Sequence, residues 1–257
     1  MKILSSRSLR EGEFAGAERV FQALLFFLGK VLYFATVNAL PVLAIETSVA
    51  TGSVALCSAD KVWLDRCFTA GRKPSATLWE PLHEVIKEVS ILQAVVVGVG
   101  PGSYNGSRIG IAAAQAIALA HDCPVIPLSS FEGVALESTE GWAIGDARRG
   151  SFSLQKIANG RLAGDFALVD GDELVRRVQE ACDEGQEVFS FDEPARFPLS
   201  DPLRSRLQHR SSESKRLAKA YWQRTPAERA VLATQPAQPF YLRDPHITPG
   251  KRKSLMK

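Results

Sequence analysis

Two carboxylates and one glycine-rich turn are the residues whose types and spacing are best suited to chemistry. Glu46 closes the apolar run 42–47 (VLAIET), and Asp146 lies near the end of the run 142–147 (WAIGDA), each just ahead of a tight turn. Carboxylates at the ends of two strands that face one cleft can hold a magnesium–nucleotide complex. The same groups can instead bond the amides of their own turns, which is the commoner use. Between them runs Gly98-Val-Gly-Pro-Gly-Ser-Tyr-Asn-Gly106, with four glycines and a proline in nine residues. Each glycine lowers helix or strand propensity by about 1 kcal/mol, so the backbone there has a special task. One reading is that Gly100, Gly102, Ser103 and Gly106 aim N–H groups at a phosphate, helped by the positive end of the following helix. The other is a tight turn that brings strand and helix close. The turn lacks the GxxxxGK[ST] arrangement and contains no lysine. Arg108, just beyond it, can meet an anion or pair with a carboxylate.

Other chemistries find little support. His83, His121, His209 and His246 are dispersed, with no pair at metal-ligand spacing, and there is no GxSxG elbow or Cys/His signature. Cys57, Cys67, Cys123 and Cys182 form no CxxC pair and read as reduced thiols. No metal site is expected.

The elements that position the candidates follow from hydrophobic period and turn residues. Strands are expected over 42–47, 51–57 and 62–68, a helix over 78–89 capped by Ser75 or Thr77, a strand over 94–99, a helix over about 107–121 and a strand over 125–128. A second unit repeats the three-strand start over 142–147, 152–157 and 161–168. It continues as a helix over 172–182 and a strand over 188–191, after which Pro194, Pro198 and Pro202 predict irregular chain. A polar helix over 211–223 and extended chain beyond Pro236 complete the pattern. The expected division is an extension over 1–40, a first domain over 41–136, a second over 137–245 and a basic, disordered tail over 246–257.

The helix IGIAAAQAIALAH carries many small residues and only Gln115 as a strongly polar group before His121. A helix without a solvated face needs a second surface to cover it, supplied by another domain or another chain.

At 257 residues, 46% apolar and 23% charged, the chain is of ordinary globular type. Its +3 charge is small and concentrated near residues 251–257, so no broad nucleic-acid face is expected. The stretch 21–37 (FQALLFFLGKVLYFATV) is apolar, but Lys30 interrupts it short of the roughly 20 residues of a membrane span. It reads as an appended amphipathic helix, or as leader ahead of a later start such as Val37. No membrane partner is expected, and the expected location is the cytoplasm.

Taken together, VLAIETSVATGSVAL from Val42, VVVGVGPGSYNGSRIGIAAAQAIALA from Val95, GDARRGSFSLQKIANG from Gly145 and YLR at Tyr241 resemble the TsaB (YeaZ) family of bacterial tRNA threonylcarbamoyladenosine biosynthesis proteins. The likeness covers about 41–243. It implies an α/β fold of two RNase H-like halves of the actin-like ATPase superfamily, the second reduced. It also implies a non-catalytic subunit that pairs with the TsaD transferase, joined by the TsaE ATPase, with tRNA reached only through the complex. A second copy would take the partner's place when the chain is alone. The HxxxH ligands of TsaD-like subunits are absent, which favours the partner role. Carried over residue by residue, the implied interface uses Leu82, Val85, Ile86 and Val89 on the first helix and Ile109, Ala112, Ala113, Ala116 and Ala120 on the second. No cofactor is expected beyond ATP or ADP at the partner interface. The competing reading is a phosphotransferase of the same superfamily, with Glu46 and Asp146 on magnesium. Tyr104, Asn105 and Ser107 depart from the family pattern, as does the extension before residue 41.

Overall fold

The computed structural model describes residues 40–69 and 74–242. Residues 1–39 of the extension expected over 1–40, and the tail expected over 246–257, lie outside the described residues. Two five-stranded sheets carry the fold. The first half runs β1 (Val42–Glu46), β2 (Thr51–Cys57), β3 (Val62–Thr69), α1 (Pro74–Ile86), β4 (Ala94–Gly98), α2 (Tyr104–Ala120) and β5 (Val125–Leu128), followed by a 3-10 turn at Ser130–Gly133. The second runs β6 (Glu140–Asp146), β7 (Phe152–Ala158), β8 (Arg161–Val169), α3 (Gly171–Asp183), β9 (Glu187–Ser190), a 3-10 turn at Pro194–Arg196, α4 (Asp201–Arg204) and β10 (Leu207–His209). Two helices follow, α5 (Ser214–Trp222) and α6 (Pro226–Ala233).

The duplication is plain in the topology. The first sheet has the order β3-β2-β1-β4-β5 and the second β8-β7-β6-β9-β10. In each, the leading strand pairs antiparallel with the next (Val42 opposite Cys57; Glu140 opposite Ala158) and parallel with the fourth (Val42 opposite Ala94; Gly141 opposite Glu187). This is the actin-like ATPase type of fold. Reduction of the second half lies in its helices: the 13-residue α3 precedes β9, but only a 3-10 turn and the four-residue α4 lie between β9 and β10. The chain after residue 192, expected to be irregular, instead holds a 3-10 turn, the short α4 with Pro202 in its first turn, and the three-residue β10.

Burial on both faces explains the continuous apolar runs of β1 and β4, in which every residue is buried. One face of the first sheet packs Leu43, Ile45, Val54, Val95 and Val97 against Leu78, Leu82 and Val85 of α1 and Ile111, Ala114 and Ile117 of α2. The opposite face packs Val42, Ala44, Ala55, Val96 and Ile126 against Leu217, Ala218, Ala220 and Tyr221 of α5. The chain thus returns from the second sheet to cover the back of the first. The helix expected to be polar over 211–223 buries one face for that reason. The second sheet packs Ile144, Leu154 and Val188 against Leu174, Val178 and Ala181 of α3. Each such aliphatic side chain contributes about 1.5–3 kcal/mol through removal from water.

Helix α6 was not expected, yet its start has a local signature. Thr225 and Glu228 form a capping box, each side chain bonded to the other's backbone N–H, with Pro226 in the first turn.

Candidate functional site

A cleft of about 660 Å³ opens at the carboxyl ends of β1, β4, β6 and β9, the end of an α/β sheet where ligand sites form. Its walls are the turn after β1 (Thr47, Ser48), the loop after β4, the β6–β7 hairpin around Asp146, and Phe191 and Asp192 after β9. The glycine-rich loop and both expected carboxylates therefore lie at or beside one cleft.

The loop is stitched to the turn after β1. Ser103 N–H donates to Ser48 O at 2.6 Å and Thr47 Oγ1 donates to Gly106 O at 2.8 Å. A Cβ at Gly106 would sit 2.0 Å from Thr47 O, and one at Gly102 would sit 2.2 Å from Ser48 O. Backbone on both sides cannot yield, so these positions take glycine for closeness of approach. Several of the amides a phosphate cradle would offer are engaged within the protein: Gly100 N–H donates to Ser130 Oγ, Gly106 N–H to the helix-capping Ser103 Oγ, and Ser107 N–H to Ser103 O. Close packing of strand and helix is what this geometry accomplishes. Gly106→Ala is expected to cost about 3 kcal/mol, measured by urea unfolding; a loss under about 0.5 kcal/mol would refute the backbone-contact argument.

Glu46 is fully buried. Its Oε1 accepts from Ser48 N–H and Ser48 Oγ, both at 2.7 Å, and its Oε2 accepts from Ser212 Oγ at 2.8 Å. Ser212 lies 166 residues away and just ahead of α5, so Glu46 ties the returning chain to the end of β1. On the facing wall Asp146 accepts from Arg148 N–H at 2.8 Å, from the Arg148 guanidinium at 2.9 Å and from Arg196 at 3.3 Å. Hydroxyl and amide donors hold one carboxylate and two arginines hold the other. This donor set does not fit a magnesium–nucleotide complex, and the ATP or ADP expected from the resemblance gains no binding groups from it. Arg108 pairs with no carboxylate among the described residues; it donates to Tyr104 Oη at 2.7 Å and lies 5.2 Å from that ring's centroid. Tyr104 in turn stacks on Tyr241 at 5.1 Å and 21°.

All four cysteines are free, and burial raises each thiol, Cys57 up to about 12 and Cys123 up to about 11, so these two stay protonated at neutral pH.

The second candidate surface is the outward side of α2. Ala112, Ala116 and Ala120 are exposed there with Arg108 and Gln115, and Leu119 is 86% exposed. These positions recur at helical spacing along one stripe. Leu82 and Val85, expected at an interface, are instead enclosed in the core at 1% and 0% exposure. The apolar face of an amphipathic helix is what the sheet buries, so α1 turns those residues inward. Ile86, Val89, Ile109 and Ala113 are half-buried against the same core. What α1 presents outward is Trp79, 69% exposed and not among the expected residues. Leu119 was also missed, although it lies three residues after Ala116 on the same face.

Against known proteins, residues 74–195 match the family model described as TsaD, tRNA N6-adenosine threonylcarbamoyltransferase. The tRNA threonylcarbamoyladenosine biosynthesis protein TsaB of Bacillus subtilis (strain 168) is 33% identical over 131 residues, 47% of this chain and 57% of that protein. The TsaB of Haemophilus influenzae is 28% identical over 138 residues, 49% of this chain and 58% of that protein. The chain thus spans somewhat over half the length of these curated relatives. The structure of YeaZ from Pseudomonas aeruginosa superposes with a TM-score of 0.56 at 23% identity, covering 79% of this chain and 99% of that one. With the duplicated sheets, the glycine turn and the small-residue helix in place, the chain is similar in sequence to TsaB proteins and shares the fold of YeaZ.

Proposed function

We propose that this chain is a non-catalytic accessory subunit in the biosynthesis of threonylcarbamoyladenosine in tRNA, docking on a TsaD-type transferase through the outward side of α2. The observation that carries this reading is the exposed stripe Ala112, Ala116, Leu119 and Ala120. Small residues let a partner helix approach closely, and a leucine left in water gains about 1.5–3 kcal/mol when covered. Two further features agree. The sequence lacks paired histidines at metal-ligand spacing, and the cleft's carboxylates are held by protein donors. The names of the TsaB relatives place them in this biosynthesis. A TsaE-type ATPase completes the assembly, a second copy of the chain occupies the stripe when the transferase is absent, and the complex works in the cytoplasm.

Reconstitution tests the reading. A TsaD-type and a TsaE-type subunit are assayed for tRNA modification with and without this chain, and modification is expected only with it. Full modification in its absence, or transferase activity of the isolated chain, would overturn the proposal.

A further inference from the structure

A second cavity, of about 500 Å³, opens between β5, the β7–β8 pair and the chain 235–240 that follows α6. It shares Phe131 and Phe240 with the cleft and no residue with α2. The lining runs from buried Leu128 and Phe131 out to Leu162 and Phe240, exposed at the rim. A concavity of this volume, walled mainly by apolar side chains, suits a small molecule.

Two acceptors stand in this apolar wall without donors. Gln155, 4% exposed, lies where the β7–β8 ladder shifts register: Leu154 pairs with Ala167 and Lys156 with Ala163, and the bulged β8 brings Phe166 into the lining. Gln155 Nε2 donates to Lys156 O and Ala163 O, both at 3.0 Å. Carbonyl oxygens take hydrogen bonds only from the amide nitrogen, so these contacts fix the orientation of the amide. Its Oε1, which has no partner among the described residues, is left to the cavity. Glu132 is 6% exposed, and Arg224 meets its Oε2. Glu132 Oε1 likewise has no partner among the described residues. Glu132 and Arg224 are the charged residues of the lining. Paired, they cancel, so a charged ligand would lose its water there without a free counter-charge.

We propose that this cavity binds a small, uncharged aromatic molecule whose N–H groups donate to Glu132 Oε1 and Gln155 Oε1. Phe131, Phe166 and Phe240 supply contacts for its ring, and Phe166 and Phe240 already meet edge-on at 5.2 Å. Buried acceptors left unpaired are costly, and a ligand that satisfies them is favoured over one of the same shape that does not. The site is independent of the docking stripe on α2.

The test titrates the full chain with a matched pair of probes, benzimidazol-2-one, which carries two ring N–H groups, and its 1,3-dimethyl derivative, which carries none. Binding is followed by NMR, including the Gln155 side-chain amide signals. The parent is expected to bind with a Kd of roughly 0.1–1 mM, and the dimethyl derivative about ten-fold or more weakly. Two variants are titrated alongside. Glu132→Gln keeps an oxygen for Arg224 and replaces the other acceptor by a donor, and Gln155→Met removes the second acceptor. Each is expected to weaken the parent about ten-fold and to leave the dimethyl derivative unchanged. Equal affinity of the unsubstituted protein for both probes overturns the proposal, as does parent binding that leaves the Gln155 amide signals unmoved, or no binding up to about 10 mM, a concentration well above the Kd expected of a fragment this small. Should a variant fail to fold, the matched pair on the unsubstituted protein still decides.

Discussion

Leu119→Arg is expected to lower the affinity of this chain for a TsaD-type subunit by roughly 100-fold, about 2.7 kcal/mol, while its unfolding midpoint stays in place. The two halves of that expectation have separate causes. Leu119 is 86% exposed in the free chain, and arginine is a good helix former, so the substitution disturbs neither packing nor helix propensity and stays within about 0.5 kcal/mol in stability. In a complex that covers α2, however, the same position would force a guanidinium into an apolar contact without a carboxylate to meet it. Ala116→Glu, one turn earlier on the stripe, should act alike. Leu82→Ala is the opposite control. Leu82 is 1% exposed inside the α1 side of the core, so its truncation should cost about 2–5 kcal/mol of stability and weaken association only as far as the fold is lost. Titration of a labelled transferase with each variant, beside urea unfolding of each variant alone, separates the cases. Undiminished binding by both Leu119→Arg and Ala116→Glu would move the docking surface off α2.

Arg224→Ala should be the most damaging single change away from that surface, at about 3–5 kcal/mol of stability at neutral pH. Arg224, at the end of α5, donates to Glu132 Oε2 at 2.5 Å and to Ala220 O at 2.6 Å. The two side chains are 9% and 5% exposed. Glu132 belongs to the 3-10 turn that leads from the first sheet to the second, so the pair locks the returning helix to the crossover. Burial already holds the Glu132 carboxyl above its ordinary value, while Arg224 pulls it down. Without Arg224 the carboxyl rises further. A carboxyl that is harder to ionise when folded penalises the fold fully above its folded pKa. The penalty fades as pH falls through that value toward the unfolded one near 4.3. The variant's deficit should therefore be larger at pH 8 than at pH 5, measured by urea unfolding at each. An equal deficit at both would mean that Glu132 is not the stranded charge.

Much of this molecule was legible because its signals are local. Apolar runs bounded by turn residues mark β1, β4 and β5, and β5 begins and ends where the pattern predicts. Other features resisted for a stated reason. Helix α2 starts at Tyr104, capped by Ser103, ahead of the expected 107, because Gly106 reads as a loop residue until Thr47 is seen packed against it. Tertiary contact repays its low helix propensity. Helix α6 could have been found from its Thr-Pro-Ala-Glu start. The Glu46–Ser212 and Arg224–Glu132 links could not, since nothing local records a partner 166 or 92 residues away.

The division at the candidate sites is of the same kind. By itself the sequence determined the duplicated α/β plan, the special character of residues 98–106 and the presence of a helix too rich in small residues for a solvated surface. Period and composition are properties of neighbouring residues, and those suffice. Only the tertiary structure decided which side of each helix is outermost. It sent Leu82 and Val85 inward and left Ala112, Ala116 and Leu119 in water, because the sheet claims whichever apolar face packs on it. It also decided that Glu46, Asp146 and the glycine loop bond to the protein itself. Hydrogen-bond donors from remote segments reach them only once both sheets and the returning α5 are in place.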